Sequence, residues 1–417
     1  MPFQQITVWC RAALCWLVSG LSLLLPLGRW LPQSACTGAL FNRYRIVYTS
    51  EVPVAGDITY YVGNRKMTEA FYLEPAVESA QFSSFIDGFL DGRLARRDQI
   101  WLNVSAGADE FKIESTVLDW VKPPKDTNIQ LEDAFCQVGV DLRWGGALDS
   151  FVWKAAPAGY SNLFNRHDAG RLVQQSYYGT SDPPYVMGDF NGTPWCYNPV
   201  QGGDVRGNCS KLVDYDLREG QIYIKCLPLE WGKDNVPALA YMENTYTLEN
   251  GVLAVDNRFV DFSGYTHERR HQEMPAFYTV SALGTFNYYN GAAPWTGAPL
   301  TQVSDLPFWG EPANTARCYT DLAPGNTETW CAWTAGTQPD SFGVGLFTPG
   351  AEILLAGRYG GTVSASPNDA STNYVAPLRT LLLESFRPLE YSYYITAGTL
   401  AQIRGVWLDT FNSRCAF

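Results

Sequence analysis

The sequence is short of charge and shorter of histidine: only 17% of its 417 residues are Asp, Glu, Lys or Arg, and three are histidines, at 167, 267 and 271. So few imidazoles leave little material for a metal centre built on histidine. A basic excess is missing too. Acidic residues outnumber basic ones 42 to 30, for a formal net charge of −12, which excludes a surface made to grip nucleic acid or an anionic membrane and weighs against a polyanionic substrate. No C-x-x-C pair occurs, which sets aside a zinc ribbon. No fixed-period repeat occurs either, which sets aside a propeller or a solenoid. Helical periodicity is nearly absent, so alternation of apolar and polar residues is the signal left to organise the chain.

Aromatic residues are plentiful, at 14% with 14 Trp and 24 Tyr. Chains of this kind are β-rich, their rings filling cores or, when exposed, stacking on the C–H faces of sugars. The N-terminus carries Arg11, then the apolar run A-L-C-W-L-V-S-G-L-S-L-L-L-P-L, then small and polar residues to S-A-C at 34–36. This reads as a secretory signal peptide over residues 1–35. It predicts an exported protein with no membrane span once the leader is removed. Two of the ten cysteines fall in the leader; for the rest, an oxidising compartment predicts disulfides, with Cys196–Cys209 and Cys318–Cys331 as local loops. Asn103, Asn191 and Asn208 head N-x-S/T sequons.

After the leader, short alternating runs such as Y-R-I-V-Y-T (44–49), D-I-T-Y-Y-V (57–62), Q-I-W-L-N-V (99–104) and F-K-I-E-S-T-V (111–117) predict an N-terminal β-sandwich over 36–121. One short helix is expected around S-S-F-I-D-G-F-L (83–90). V-K-P-P-K-D predicts a linker at 122–126. From 127 to 417 the strand pattern continues, predicting one large two-sheet β domain with long loops at 179–208 and 290–330 that suit a functional site. The fold class is all-β.

Ionisable groups gather in two places. N-R-H-D-A-G-R-L-V-Q-Q-S-Y-Y (165–178) supplies Asn165, His167, Asp168, Arg171, Gln174, Tyr177 and Tyr178. T-H-E-R-R-H-Q-E-M-P (266–275) supplies Glu268, Arg270, His271 and Glu273, and contains H-E-x-x-H. On a helix that motif would put His267 and His271 on one zinc, with Glu268 activating its water. Its flanks, V-L-A-V-D-N-R-F-V-D-F and A-F-Y-T-V, read as strands, and Pro275 favours extended geometry just before it. A strand instead puts Arg269, His271 and Glu273 in one row and Glu268, Arg270 and Gln272 in the other. No metal or other cofactor is therefore expected.

The sequence patterns G-G-x-L-x-S-F-x-W, N-R-H-D-A-G-R-x-x-Q-x-S-Y-Y, W-C-Y-N-P-V-Q-G-G-D, H-Q-E-M-P-A-F-Y and G-V-G-L-F-T-P-G resemble those of secreted bacterial proteins with a galactose-mutarotase-like β supersandwich. The resemblance spans most of 135–400. It implies a concave sheet that binds saccharide through His, Arg and carboxylates, with the N-terminal sandwich as an accessory domain. Three chemistries fit a poly- or oligosaccharide partner. Glycoside hydrolysis would use two carboxylates from Asp168, Glu268 and Glu273. β-Elimination on a uronate would use His167, His271 or Tyr177 as base and Arg171 or Arg270 to hold the carboxylate. A non-catalytic binding or surface-coat protein would use the same groups, with Asn165, Gln174, Tyr178 and Trp195, to grip hydroxyls. A single groove lined by His167, Asp168, His271 and Glu273 is expected.

Overall fold

In R-Y-R-I-V-Y-T-S, residues Arg43–Ser50, every second side chain is buried: Tyr44, Ile46, Tyr48 and Ser50. That is the pattern of a strand with one face on a core. The computed structural model of the protein describes residues 40–104, 110–307 and 319–414. Its regular elements are almost all strands, and the chain divides into two compact units, Met1–Asp126 and Thr127–Phe417.

The first unit is a β-sandwich. One sheet orders Leu40–Phe41, Ala95–Val104, Val54–Val62 and Arg65–Leu73 side by side; the other orders Ala76–Phe85, Arg43–Ser50 and Phe111–Asp119. Phe41, Tyr44, Ile46, Tyr60 and Phe71 fill its core. The expected helix at 83–90 does not form. Strand Ala76–Phe85 runs into a turn whose Gly88 has φ 76°, and only a three-residue 3-10 turn, Phe89–Asp91, follows. A positive φ stops a right-handed helix. Phe85 and Phe89 stack across this turn with ring centroids 3.8 Å apart.

The second unit holds the large two-sheet sandwich together with a three-stranded sheet of Ala147–Trp153, Cys136–Asp141 and Asn128–Glu132. A seven-stranded sheet runs Leu229–Glu230, Pro199–Val200, Gln174–Ser176, Arg269–Val280, Thr372–Leu382, Ile353–Tyr359, Tyr319–Asp321 in spatial order. A nine-stranded sheet runs Lys211–Arg218, Gln221–Leu227, Ala240–Glu249, Val252–Asp261, Leu389–Thr399, Phe342–Phe347, Trp330–Thr334, Thr285–Tyr288, Thr301–Ser304. Rings from both fill the space between them, as where Tyr177 meets Phe259 at 4.4 Å. One α-helix occurs among the described residues, Leu400–Arg414, and the sequence reading missed it. Its buried stripe, Leu400, Ile403, Trp407 and Thr410, is one residue wide per turn, too narrow to stand out against the strand pattern around it. Trp407 packs on Trp330 and Phe347 of the nine-stranded sheet.

The expected disulfides are also corrected. Cys136, Cys196, Cys226 and Cys331 are free thiols, so the Cys196–Cys209 loop is not closed. Cys136, Cys226 and Cys331 are buried in the sandwich, where thiols behave as small apolar side chains. Cys318, Cys36, Cys415 and the leader lie outside the described residues. No helix among the described residues is long and apolar enough to cross a membrane.

Candidate functional site

The strand Arg269–Val280 occupies the middle of the seven-stranded sheet, and its register decides what the sheet's outer face carries. Up to Glu273 it pairs His271 with Thr380 and Glu273 with Leu378; the register shifts before Phe277, and Tyr278 then pairs with Tyr374. One extra residue reverses the alternation. Arg269, His271 and Glu273 therefore share a face with Ala276 and Tyr278, while Met274 and Phe277 turn into the core. That face forms the bottom of a cleft of roughly 630 Å³, within the range of small-molecule sites.

Glu273 is the buried ionisable group of the cleft, 8% exposed. The phenol of Tyr178 donates to its Oε1 at 3.1 Å, and that of Tyr374 donates to the same oxygen. Burial pushes the carboxyl above the usual carboxylate range, while the hydroxyls of Tyr374, Ser176 and Tyr178 pull it back. Burial and the charge of Glu273 in turn push the phenols of Tyr178, Tyr278 and Tyr374 upward, keeping them as donors. His271 is exposed, and its Nδ1 lies 3.1 Å from the Thr380 hydroxyl, which orients the ring. Phe190, Trp195, Trp231 and Tyr319 add aromatic walls. The first two come from the long loop at 179–208, as a hairpin of Gly188–Phe190 and Thr193–Trp195.

The two sequence clusters do not merge as expected. The cleft is lined by Gln174, Tyr178, Trp195, Glu268, Arg270, His271 and Glu273, but not by Asn165, His167, Asp168, Arg171 or Tyr177. Asp168 caps the 3-10 turn Ala169–Arg171 through Gly170 N and pairs with Arg171 at 3.2 Å. His167 bonds the Asn368 carbonyl at 2.8 Å, and buried Asn165 holds the carbonyls of Asp369 and Ser371. These residues fasten one loop to another. Arg171 stacks over Tyr359, and both it and Asp168 act on the Tyr278 phenol by charge. Tyr177 is fully buried, its hydroxyl donating to Gln175 Oε1 at 2.8 Å; it serves the core, not the cleft. Gln174 spans Ala169 O and Gly202 N. Its amide is a structural tie at the cleft's edge.

The zinc geometry does not form. His267 lies outside any helix, two residues before the strand Arg269–Val280, buried, with Nδ1 accepting from Thr180 N at 3.0 Å and its ring stacked on Tyr197. His271 lies within the strand, where its Nδ1 meets the Thr380 hydroxyl, so no helix turn brings the two imidazoles together. Glu268 pairs with Arg270, which also donates to Ser181 at 3.1 Å. Tyr278, Tyr374, Leu378, Thr380 and Trp231 line the cleft without having been singled out in the sequence. For Tyr374, Leu378 and Thr380 the signal was the even row of T-N-Y-V-A-P-L-R-T (372–380), which reads equally well as a core-facing row.

No protein-family model matches the chain, and no curated protein matches it. Among solved structures, a galactose mutarotase related enzyme from Lactobacillus acidophilus aligns with 66% of this chain and 98% of its own, at 13% identity and a TM-score of 0.40. A galactose mutarotase-like protein from Lactobacillus casei aligns with 65% of this chain and 99% of its own, at 12% identity and a TM-score of 0.40. An alpha-mannosidase from Enterococcus faecalis aligns with 92% of this chain and 40% of its own, at 9% identity and a TM-score of 0.40. The chain is similar to galactose-mutarotase-like structures. That similarity carries no chemistry across at these identities; the chemistry rests on the cleft's side chains.

Proposed function

We propose that the cleft binds a sugar and that Glu273 and His271 form an acid–base pair acting on its ring, opening and reclosing an aldose hemiacetal. The observation that carries this reading is their placement: two residues apart on one face of one strand, about 7 Å between backbones, with side chains long enough to converge on neighbouring oxygens. Paired-carboxylate hydrolysis fits less well. Glu268 lies just before the strand that carries Glu273, and its carboxylate is taken by the Arg270 guanidinium. Glycosidases hold their carboxylates roughly 5–9.5 Å apart, on either side of the scissile bond.

In this scheme the Glu273 carboxylate takes the proton of the anomeric hydroxyl while the His271 imidazolium gives its proton to the ring oxygen. The bond between the anomeric carbon and the ring oxygen breaks, and the anomeric carbon becomes the aldehyde. Rotation and the reverse transfers give the other anomer and restore both side chains. Burial suits Glu273 to this task, because raising a carboxyl's proton affinity makes its anion a stronger base. The aromatic walls supply stacking surface for the sugar's C–H face. The apolar run behind Arg11 supports export of the protein, which the N-terminal sequence of protein recovered outside the cell would test.

The experiment is polarimetry on freshly dissolved aldoses, with reducing ends and unsaturated-uronate absorbance followed in parallel on polysaccharides. Faster relaxation to the anomeric equilibrium, lost in Glu273→Gln and His271→Asn, supports the reading. Release of reducing ends from a polysaccharide, with no effect on the anomers, would replace it with hydrolysis.

A further inference from the structure

We propose that the sugar accepted by this cleft carries a carboxylate, as a hexuronate does, and that Arg269 is the residue that binds it. The inference rests on the saccharide reading above and adds the substrate class. Arg269 lines the cleft and is exposed. It makes no ion pair with a carboxylate of any described residue, unlike Arg270, which is taken by Glu268. Its Nη2 donates to the Thr380 carbonyl at 2.6 Å, while the hydroxyl of the same threonine meets His271 Nδ1 at 3.1 Å. One residue therefore positions both the guanidinium and the imidazole, side by side. Glu352 accepts from Thr380 N at 2.9 Å and makes no ion pair with Arg269.

Charge balance points the same way. The chain as a whole carries −12, and anions are repelled by most such surfaces. Within the cleft, however, Glu268 and Arg270 cancel, and in the acid–base scheme above the Glu273 carboxylate is matched by the His271 imidazolium beside it in the same row. Arg269 is left as the uncompensated charge. A guanidinium's fork matches the two oxygens of a carboxylate.

The order of groups along the strand also fits. Glu273, His271 and Arg269 follow one another in a single row. In a pyranose hexuronate the anomeric hydroxyl, the ring oxygen and the carboxylate follow one another along one edge of the ring. With Glu273 at the hydroxyl and His271 at the ring oxygen, the carboxylate falls towards Arg269.

The test is titration calorimetry at low salt with galacturonate against galactose, methyl galacturonate and galactose 6-sulfate. Galacturonate should bind about tenfold more tightly than galactose, the scale of one charge-assisted hydrogen-bonded contact at a partly exposed site. The methyl ester should lose that margin, and added salt should shrink it. In Arg269→Gln the ratio should fall towards one, and Arg269→Lys should recover part of it. Equal affinity for galacturonate and galactose, or a preference that survives Arg269→Gln, overturns the proposal while leaving sugar binding standing. A 6-sulfate bound as tightly as the uronate overturns the carboxylate assignment. If none of the four binds, the saccharide reading falls with it.

Discussion

Glu273 is held between opposing demands: burial favours its neutral form, and hydroxyl donors favour its anion. Burial comes first, so the folded protein binds this proton more tightly than the unfolded chain does. Stability from that proton is present below the unfolded carboxylate value of ~4.3 and is lost as pH rises through the higher folded value. Glu273→Gln removes the effect. Denaturant titrations across the acidic range should show the variant gaining on the native protein as pH rises. The same substitution should cut anomer interconversion by about 10²–10⁴-fold, the usual worth of a general base, as read by polarimetry. With the carboxylate as base, native activity should disappear on acidification at a pH above that of an ordinary glutamate.

At the scale of the element, neighbouring residues have separate fates because alternate side chains leave a strand on opposite sides. Tyr177 packs on Phe259 in the core, whereas Tyr178 donates to Glu273 in the cleft. Tyr177→Ala should therefore cost about 3–5 kcal/mol in urea denaturation, as other buried rings do. Tyr178→Phe should leave stability within about 1 kcal/mol. Because the Tyr178 hydroxyl lowers the Glu273 carboxyl, losing it should move the acidic limb of activity to higher pH. The sequence displayed both tyrosines in one polar run, with nothing to separate them. It did display the row of Arg269, His271 and Glu273, since alternation is local. The side of the sheet that row faces is set by pairing with Ser176 and Leu378, residues about a hundred positions away on either side. Asp168 and His167 misled for a related reason: capping a turn and fastening a loop use the same side chains as binding a sugar.

For the whole molecule, every residue that lines the cleft belongs to the unit Thr127–Phe417. Expressed alone, that unit should fold cooperatively and keep the acid–base activity, which circular dichroism and polarimetry would check. The all-β class and the strand-rich runs were legible because aromatic and β-branched alternation repeats along the chain. The cysteines were not, since their pairing was inferred from a leader and a count rather than from any contact. Cys136, Cys226 and Cys331 are buried, and burial pushes the Cys136 thiol up to about 12. They should resist thiol reagents until denaturant is added.

The register shift between Glu273 and Phe277 works as a seam in the strand. Before it, Arg269, His271 and Glu273 take the cleft side; after it, Ala276 and Tyr278 take that side while Phe277 and Thr279 anchor the sandwich. Substitutions that retune substrate preference can accumulate on the cleft side without disturbing the packing on the other. Along this strand the trade-off between activity and stability that most enzymes spread across a site is divided by face, so sequence variation among relatives should alternate residue by residue, and the phase of that alternation should reverse at the shift.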